Sequence, residues 1–308
     1  MQTTNNILLI RPSNFCFNAE TVSTNAFQKK TKIADNDFIK KNAIEEFDLF
    51  AKTLISKGVN VFIFNDTPSP VKPDAIFPNN WITFHADGTV ILYPMFAPNR
   101  RLEKRQDIID SIGQNFKIKN VVDFSNYEKE NKFLEGTGSI IFDHENKIAY
   151  ACFSSRTDKD VFIKVCEYLH YRPVYFSACD QNGIEIYHTN VMLCIGEKFA
   201  VICSGSILNS VEKEMVMTSL SRTGHQLIDI TFEQMSNFAG NMLEIRTKEN
   251  KNILVLSQSS FISLTEIQKI ELIKYVELIP LSIKTIETIG GGSARCMIAE
   301  VFLEPIEN

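Results

Sequence analysis

Over 308 residues, 44% hydrophobic and 22% charged side chains are ordinary for a folded globular protein, and a formal charge of -5 with scattered Lys and Arg leaves no basic footprint for nucleic acid. No apolar run approaches the roughly 20 residues that a membrane-spanning helix needs, and Ile7–Ile10 behind a start without basic residues is too short for a signal-peptide core. The seven cysteines (Cys16, Cys152, Cys166, Cys179, Cys194, Cys203, Cys296) are odd in number and irregularly spaced, which fits neither a disulfide framework nor a zinc site and leads us to expect a cytoplasmic protein without metal or cofactor.

In chain order, Ile7–Arg11 reads as a strand. Ala43, Phe47, Phe50 and Leu54 then mark one face of a helix stopped by Gly58, with a strand at Val59–Asn65. Trp81–Tyr93 reads as a β-hairpin turning at Asp87-Gly88, followed by a helical face of Leu102, Arg105, Ile108, Ile109 and Ile112 and a strand at Val121–Phe124. A second hairpin, Ser139–Phe153, turns at Glu145-Asn146 and precedes a helix through Phe162, Val165, Cys166 and Leu169 and a strand at Pro173–Ser177. A third, Asn190–Cys203, turns at Glu197-Lys198 and leads to a strand at Gln226–Ile230. The fourth, Met242–Leu256, turns at Glu249-Asn250. Beyond it, Leu264, Ile267, Ile270 and Ile273 predict a helix with a capping box from Ser263 to Glu266, then a strand at Ile279–Ile283. The last apolar run is Met297–Leu303.

The turns at residues 87, 145, 197 and 249 are 58, 52 and 52 residues apart, a regularity that marks a repeat. The unit is strand, strand, helix, strand, five times over. The first unit lacks a hairpin partner, and Met297–Leu303 would supply it, so the chain ends would meet and close a ring with few open strand edges. The fold predicted is an α/β five-bladed propeller in a single domain, 1–308. The competing open α/β sheet is disfavoured by hairpins lying between the helices.

Gly290-Gly291-Gly292-Ser293-Ala294-Arg295-Cys296 places a thiol behind three glycines and a cation, a setting that favours a thiolate. A buried cysteine entering a strand explains the same stretch equally well. Three other loops bear on the choice: Glu135, His188 and Asn79-Asn80 each stand just before a hairpin, as Cys296 stands before the closing strand. In a ring these equivalent positions converge on the axis, which would assemble a nucleophile, an acid/base and a carboxylate that are remote in sequence. Trp81 reads as a pocket wall or as core, Asp74 as a substrate contact or a turn cap, and Arg156 as a substrate contact or a surface residue. His85, His144, His170 and His225 read as solvated or structural.

These motifs resemble the pentein superfamily of guanidino-group-modifying enzymes, which includes arginine and agmatine deiminases, dimethylarginine hydrolases and amidinotransferases. The resemblance rests on Glu135-Gly136-Thr137-Gly138, His188-Thr189-Asn190 and Gly290–Cys296, in the family's order and spanning nearly the whole chain. Pro73–Asn80 is similar to a dimethylarginine hydrolase loop, and Ala97–Glu103 and Ser155-Arg156-Thr157 to basic loops that hold a substrate α-carboxylate. It implies Cys296 as nucleophile, His188 as acid/base and Glu135 as its orienting partner. It further implies substrate contacts from Asp74, Asn80, Asn190, Arg100, Arg101 and Arg156, with Arg295 beside the thiol counted among them.

Where guanidine-modifying relatives carry carboxylates, this chain has Asn80 and Asn190. A buried guanidinium without opposing charge is costly, whereas an amide suits a neutral ureido group. Phe-Pro-Asn-Asn-Trp, Leu-Glu-Gly-Thr-Gly-Ser, His-Thr-Asn-Val-Met and Gly-Gly-Gly-Ser-Ala-Arg-Cys most resemble bacterial citrulline-utilisation hydrolases (citrulline ureidases). The expectation is therefore hydrolysis of citrulline to ornithine, ammonia and carbon dioxide through a covalent cysteine intermediate. The rivals are arginine deimination or amidino transfer on the same scaffold, and a non-catalytic pentein such as the ribosome-binding anti-association factors, which lack the Cys/His/Glu set. The expected partner is a small amino-acid substrate, not nucleic acid or membrane; a homo-oligomer is compatible with the sequence, though no feature specifies one.

Overall fold

Ile7, Leu8, Leu9 and Ile10 leave neither face of the first strand polar, so it must be covered on both sides. In the computed structural model, which describes residues 1–29 and 35–306, this strand is β1 (Asn6–Arg11). It lies between β2 (Asn60–Asn65), to which it runs parallel, and β15 (Ala299–Glu300), to which it runs antiparallel. Ile7 pairs with Glu300, so the last strand does complete the first unit.

Four more sheets repeat the pattern: β3 (Ile82–Phe84), β4 (Thr89–Leu92) and β5 (Asn120–Asp123); β6 (Ile141–Asp143), β7 (Ile148–Cys152) and β8 (Arg172–Phe176); β9 (Leu193–Ile195), β10 (Phe199–Ile202) and β11 (Gln226–Asp229); β12 (Leu243–Arg246), β13 (Asn252–Ser257) and β14 (Glu277–Leu281). In each, the first two strands form an antiparallel hairpin and the third returns parallel to the second. The parallel return needs a crossover, which the intervening helix supplies.

Each sheet buries its faces against its neighbours, and the core sits at these junctions. Ile7 and Leu9 pack with Ile245, Val255 and Ile279 of the last unit. Leu8 and Ile10 pack with Ile82 and Val90 of the second, Ile91 with Phe142 and Ala149 of the third, and Tyr150 with Leu193, Val201 and Leu254 of the fourth and fifth. The ring is a five-bladed α/β propeller. The loops that enter the first strand of each blade meet at one end: Pro78–Asn80 contacts both Ala294–Met297 and Gly136–Ser139, and Gly136–Ser139 contacts Thr189–Val191.

Helix Asn36–Ser56 buries Ala43, Phe47, Phe50 and Leu54, and the chain leaves it through Gly58 at φ +82, in the left-handed region that glycine tolerates. Two helices differ from expectation. After the first hairpin the helix is only Gln106–Gly113, with Arg105 extended as its N-cap and Leu102 exposed, because Pro98–Arg101 forms a separate turn. In the last blade Thr265, not Ser263, caps helix Glu266–Ile273, its box partner being Gln268. There Ile267, Ile270 and Ile273 face outward and only Leu272 is buried, since spacing defines a face but only the neighbouring sheet selects which face is covered. Trp81 is core. His85 is buried and tied to Thr83, so the solvated alternative is wrong for it, while His144 is half-buried and tied to Tyr171. Among the described residues no helix is long and apolar enough to cross a membrane.

Candidate active site

Glu135 ends the extended chain before a short turn at Gly136–Ser139, where Gly136 takes φ +45 so tightly that a Cβ would lie 2.2 Å from Asn79 O. That close approach brings the second and third blades' loops together and sets Glu135 against the fourth blade's His188. His188 Nε2 lies 2.8 Å from Glu135 Oε2, and Arg156 Nη1 lies 3.5 Å from the same oxygen. Glu135 Oε1 also accepts from Phe96 N at 3.0 Å. Burial pushes the Glu135 carboxyl up, but the Arg156 guanidinium and the His188 hydrogen bond outweigh it and hold the group well below the usual carboxylate range. Burial pushes His188 down to about 4, against the pull of Glu135. An ionised Glu135 only accepts, so neutral His188 carries its proton on Nε2 and leaves the Nδ1 lone pair free.

Gly138 makes room for that lone pair: a Cβ there would sit 2.7 Å from His188 Nδ1 and 2.5 Å from Asn80 Nδ2. Both atoms therefore border one small space. Asn80 is held by Arg100, whose Nη1 donates to Asn80 Oδ1 at 2.7 Å. The other Arg100 nitrogens are spent on Glu103 and on the carbonyls of Asp74 and Phe77. Arg100 thus braces the 74–80 loop and keeps no nitrogen facing a ligand, a correction to its expected place on the substrate.

Cys296 lies in the turn Ala294–Met297 entering β15. Asn190 Nδ2 approaches its Sγ at 3.4 Å and Asn241 Nδ2 at 3.3 Å. Tyr187 links this loop to the histidine: its ring lies 4.6 Å from that of His188, and its hydroxyl donates to Gly291 O at 2.9 Å. Arg156 packs over the Tyr187 ring at 4.9 Å. Asp74 sits 3.9 Å from Arg100 and accepts from Asn18 Nδ2 at 2.7 Å; burial raises its carboxyl, with Arg100 opposing.

The ring end thus gathers Glu135, His188, Asn80, Asn190, Asp74, Arg156 and Cys296, none more than 5% exposed. Two expected members lie elsewhere. Arg295 turns its guanidinium away to Glu300 at 2.9 Å and Ile298 O at 3.0 Å, held there by those two acceptors. Arg101 braces Met95 O and Phe96 O beside Glu128, on the rim.

Burial is completed by the segment after β1. Asn18 holds Asp74, Thr21 O and Thr24 Oγ1 each accept from Arg156 at 2.9 Å, and Asn25 donates to Gly290 O at 3.3 Å. Every anchor is a loop that carries the site. Beside it a cavity of about 510 Å³ is lined by Phe27, Tyr187, Phe238, Lys284 and Glu287. Among the described residues no group of three His, Cys, Asp or Glu could hold a metal ion.

The family described as N,N dimethylarginine dimethylhydrolase, eukaryotic, matches residues 11–303. The chain belongs to that family. Its fold agrees. ArgZ, described as an arginine dihydrolase from the ornithine–ammonia cycle in cyanobacteria, superposes with a TM-score of 0.75 at 16% identity, over 98% of this chain and 41% of its own, so the chain spans about two fifths of ArgZ. The N-terminal domain of ArgZ, as a cysteine-to-serine variant bound to substrate, superposes at 0.74 with 15% identity over 98% of this chain and 99% of its own. A dimethylarginine dimethylaminohydrolase adduct with S-methyl-L-thiocitrulline gives 0.65, with 15% identity over 97% and 99% of the two chains. No curated protein matches significantly. This dimethylarginine hydrolase-family chain accordingly has the pentein fold.

Sequence reasoning missed three features of this pentein's site. Asn241 had a usable signal: Asn241-Met242-Leu243 enters the fifth blade as Asn190-Val191-Met192 enters the fourth, so the repeat itself pointed to it. Tyr187 and the segment from Asn18 to Asn25 had none, because their contacts with the site are set by chain packing across 56 to 265 residues.

Proposed function

We propose that this chain is a cysteine-dependent hydrolase that cleaves the ureido group of citrulline, with water, to ornithine, ammonia and carbon dioxide. The orientation of the Asn80 amide carries this reading. Arg100 can only donate, so Asn80 turns Oδ1 toward it and keeps Nδ2, a pure donor, without a partner among the described residues. Asn190 Oδ1 and Asp74 Oδ1 are buried acceptors, likewise unpartnered. A ureido group brings a carbonyl oxygen and N–H groups and answers both kinds. A guanidinium brings only donors and would leave the Asn80 N–H facing another N–H. One buried polar group left unpaired costs about 1–3 kcal/mol, enough for roughly tenfold discrimination or more.

In the proposed reaction the thiol proton of Cys296 passes to the vacant Nδ1 of His188 and the thiolate adds to the ureido carbon. The carbonyl pair moves onto oxygen, where Asn80 Nδ2 donates to it. Collapse expels an amine that takes the proton from His188, leaving a carbamoyl thioester. Water then gives a proton to His188 and adds to the thioester, the thiolate departs, and the carbamate breaks down to carbon dioxide and the second amine. Glu135 keeps Nε2 protonated throughout. Arg156 takes the substrate α-carboxylate once Thr21 and Thr24 withdraw from its Nε and Nη2.

Arginine dihydrolysis is the second reading. Asp74 Oδ1, a buried carboxylate oxygen without a partner, favours it, as does the fold shared with ArgZ, described as an arginine dihydrolase. It would share the ureido half of the reaction. Assay of ornithine and ammonia from citrulline and from arginine decides. Ornithine from citrulline alone is expected, ornithine from arginine favours the second reading, and release from neither sinks both. Cys296→Ala should lose at least about 10⁴-fold in turnover.

A further inference from the structure

Two observations about the loop entering the fifth blade single out a side chain that the reaction above leaves unused. First, the loop is locked. Gly240 runs so close to the fourth blade that a Cβ would sit 2.2 Å from Val191 O, and Phe238 holds φ +64, a conformation that non-glycine residues adopt at a cost. Second, the amide that this loop presents is fixed in one orientation. Asn241 Oδ1 accepts from Arg295 N at 3.2 Å, and Asn241 Nδ2 donates to Asn190 O at 3.0 Å. A flipped amide would lose both bonds. The fixed orientation sets Nδ2 at 3.3 Å and Oδ1 at 3.5 Å from Cys296 Sγ. A thiol can donate to that Oδ1, and a thiolate can accept from that Nδ2.

We propose that Asn241 is a catalytic residue of this enzyme: with Asn190 it cradles the Cys296 sulfur between two neutral amides that serve it as thiol and as thiolate. This rests on Cys296 being the nucleophile. A carboxylate in the same place would accept from the thiol but repel the thiolate, and neutral donors stabilise the developing anion without placing a second charge beside it. The cradle also explains why the site can hold a nucleophile while Arg295, the cation next to it in sequence, faces Glu300.

The test is alkylation of Cys296 by iodoacetamide across about pH 6 to 10, read on the peptide containing Cys296 because Cys16 and Cys179 are also free and partly exposed. Tyr187 is the titratable group that interacts with Cys296; it also feels Arg156, Glu135 and Asp74 and packs on the His188 ring, and the variants leave all of these intact. Asn241→Asp, near-isosteric, should raise the midpoint for Cys296 by about one pH unit or more and cut citrulline turnover at least about tenfold. Labelling of Cys16 and Cys179 should not change. Asn241→Ala should shift the midpoint the same way, and it takes over as the deciding variant if Asn241→Asp melts early. An unchanged midpoint in either folded variant overturns the cradle while leaving the nucleophile in place. Citrulline hydrolysis by Cys296→Ala would instead remove the reading beneath it.

Discussion

At the scale of single residues, buried polar groups divide into those whose partners are supplied by the fold and those left open. His85 belongs to the first kind: Thr83 Oγ1 lies 2.7 Å from its Nε2, and burial pushes it down to about 4. Its ordinary value is near 6.5, so between roughly pH 6.5 and 4 the unfolded chain binds a proton that the folded chain refuses. Stability must therefore fall as pH falls through that window, by at most about 3 kcal/mol from this group. His188, also lowered to about 4, acts in the same direction. Urea melts at pH 7 and pH 5 should show this loss, and His85→Gln should shrink the difference without abolishing it. An equal difference in variant and wild type would mean that His85 is protonated in the folded protein. Asn80, Asn190 and Asp74 are of the second kind, each keeping a buried atom without a partner in the loops of the site.

Among elements, the short turns into each blade matter more to the site than the regular helices and strands. Gly138 shows why. Its missing side chain is the space between Asn80 Nδ2 and His188 Nδ1, so Gly138→Ala would push a methyl group into both. The substitution should lower kcat by about 10²-fold or more, the cost of misplacing reacting groups by an ångström, while changing Tm little. A variant with wild-type kcat would show that the two atoms do not act together. The outer helices follow a different logic. Leu272 is the inward residue of Glu266–Ile273, and Leu272→Ala should cost about 2–5 kcal/mol. Ile270→Ala, at an outward position, should stay within about 0.5 kcal/mol. Denaturant midpoints for the pair would check which face is buried, and equal losses would contradict the packing described here.

For the whole molecule, ring closure joins residues nearly three hundred positions apart. β1 is central in its blade only because β15 pairs with it, and Val301 and Leu303 bury themselves against Leu8 and Ile10. Removing residues 298–308 should therefore unfold the protein rather than trim an end, since it exposes one edge of β1 and opens a core junction. Circular dichroism of the truncated chain checks this, and a cooperative melt near that of the full chain would refute it. Closure also explains why the site can be built from Asn80, Glu135, His188, Asn190, Asn241 and Cys296, residues spread over most of the chain.

Local pattern alone was enough to specify the blades. Alternating apolar runs, turn residues at 87, 145, 197 and 249, and the apolar face through Phe47 and Phe50 report short-range physics that a sequence carries directly. The repeat then placed Asn80, Glu135, His188 and Cys296 at equivalent points, because a ring maps equal positions onto one axis. What tertiary structure decided is where side chains go once there. Arg100 and Arg156 both belong to the site's loops, yet one is consumed by Glu103 and Asn80 while the other faces Thr21 and Thr24. Arg295, adjacent to the thiol in sequence, points away from it to Glu300. Ile267 and Ile270 have the spacing of a buried face and lie in water, because spacing defines a face and only the neighbouring sheet selects which face is covered. Rotamer direction and partner choice depend on contacts between blades, and those exist only when the ring is closed.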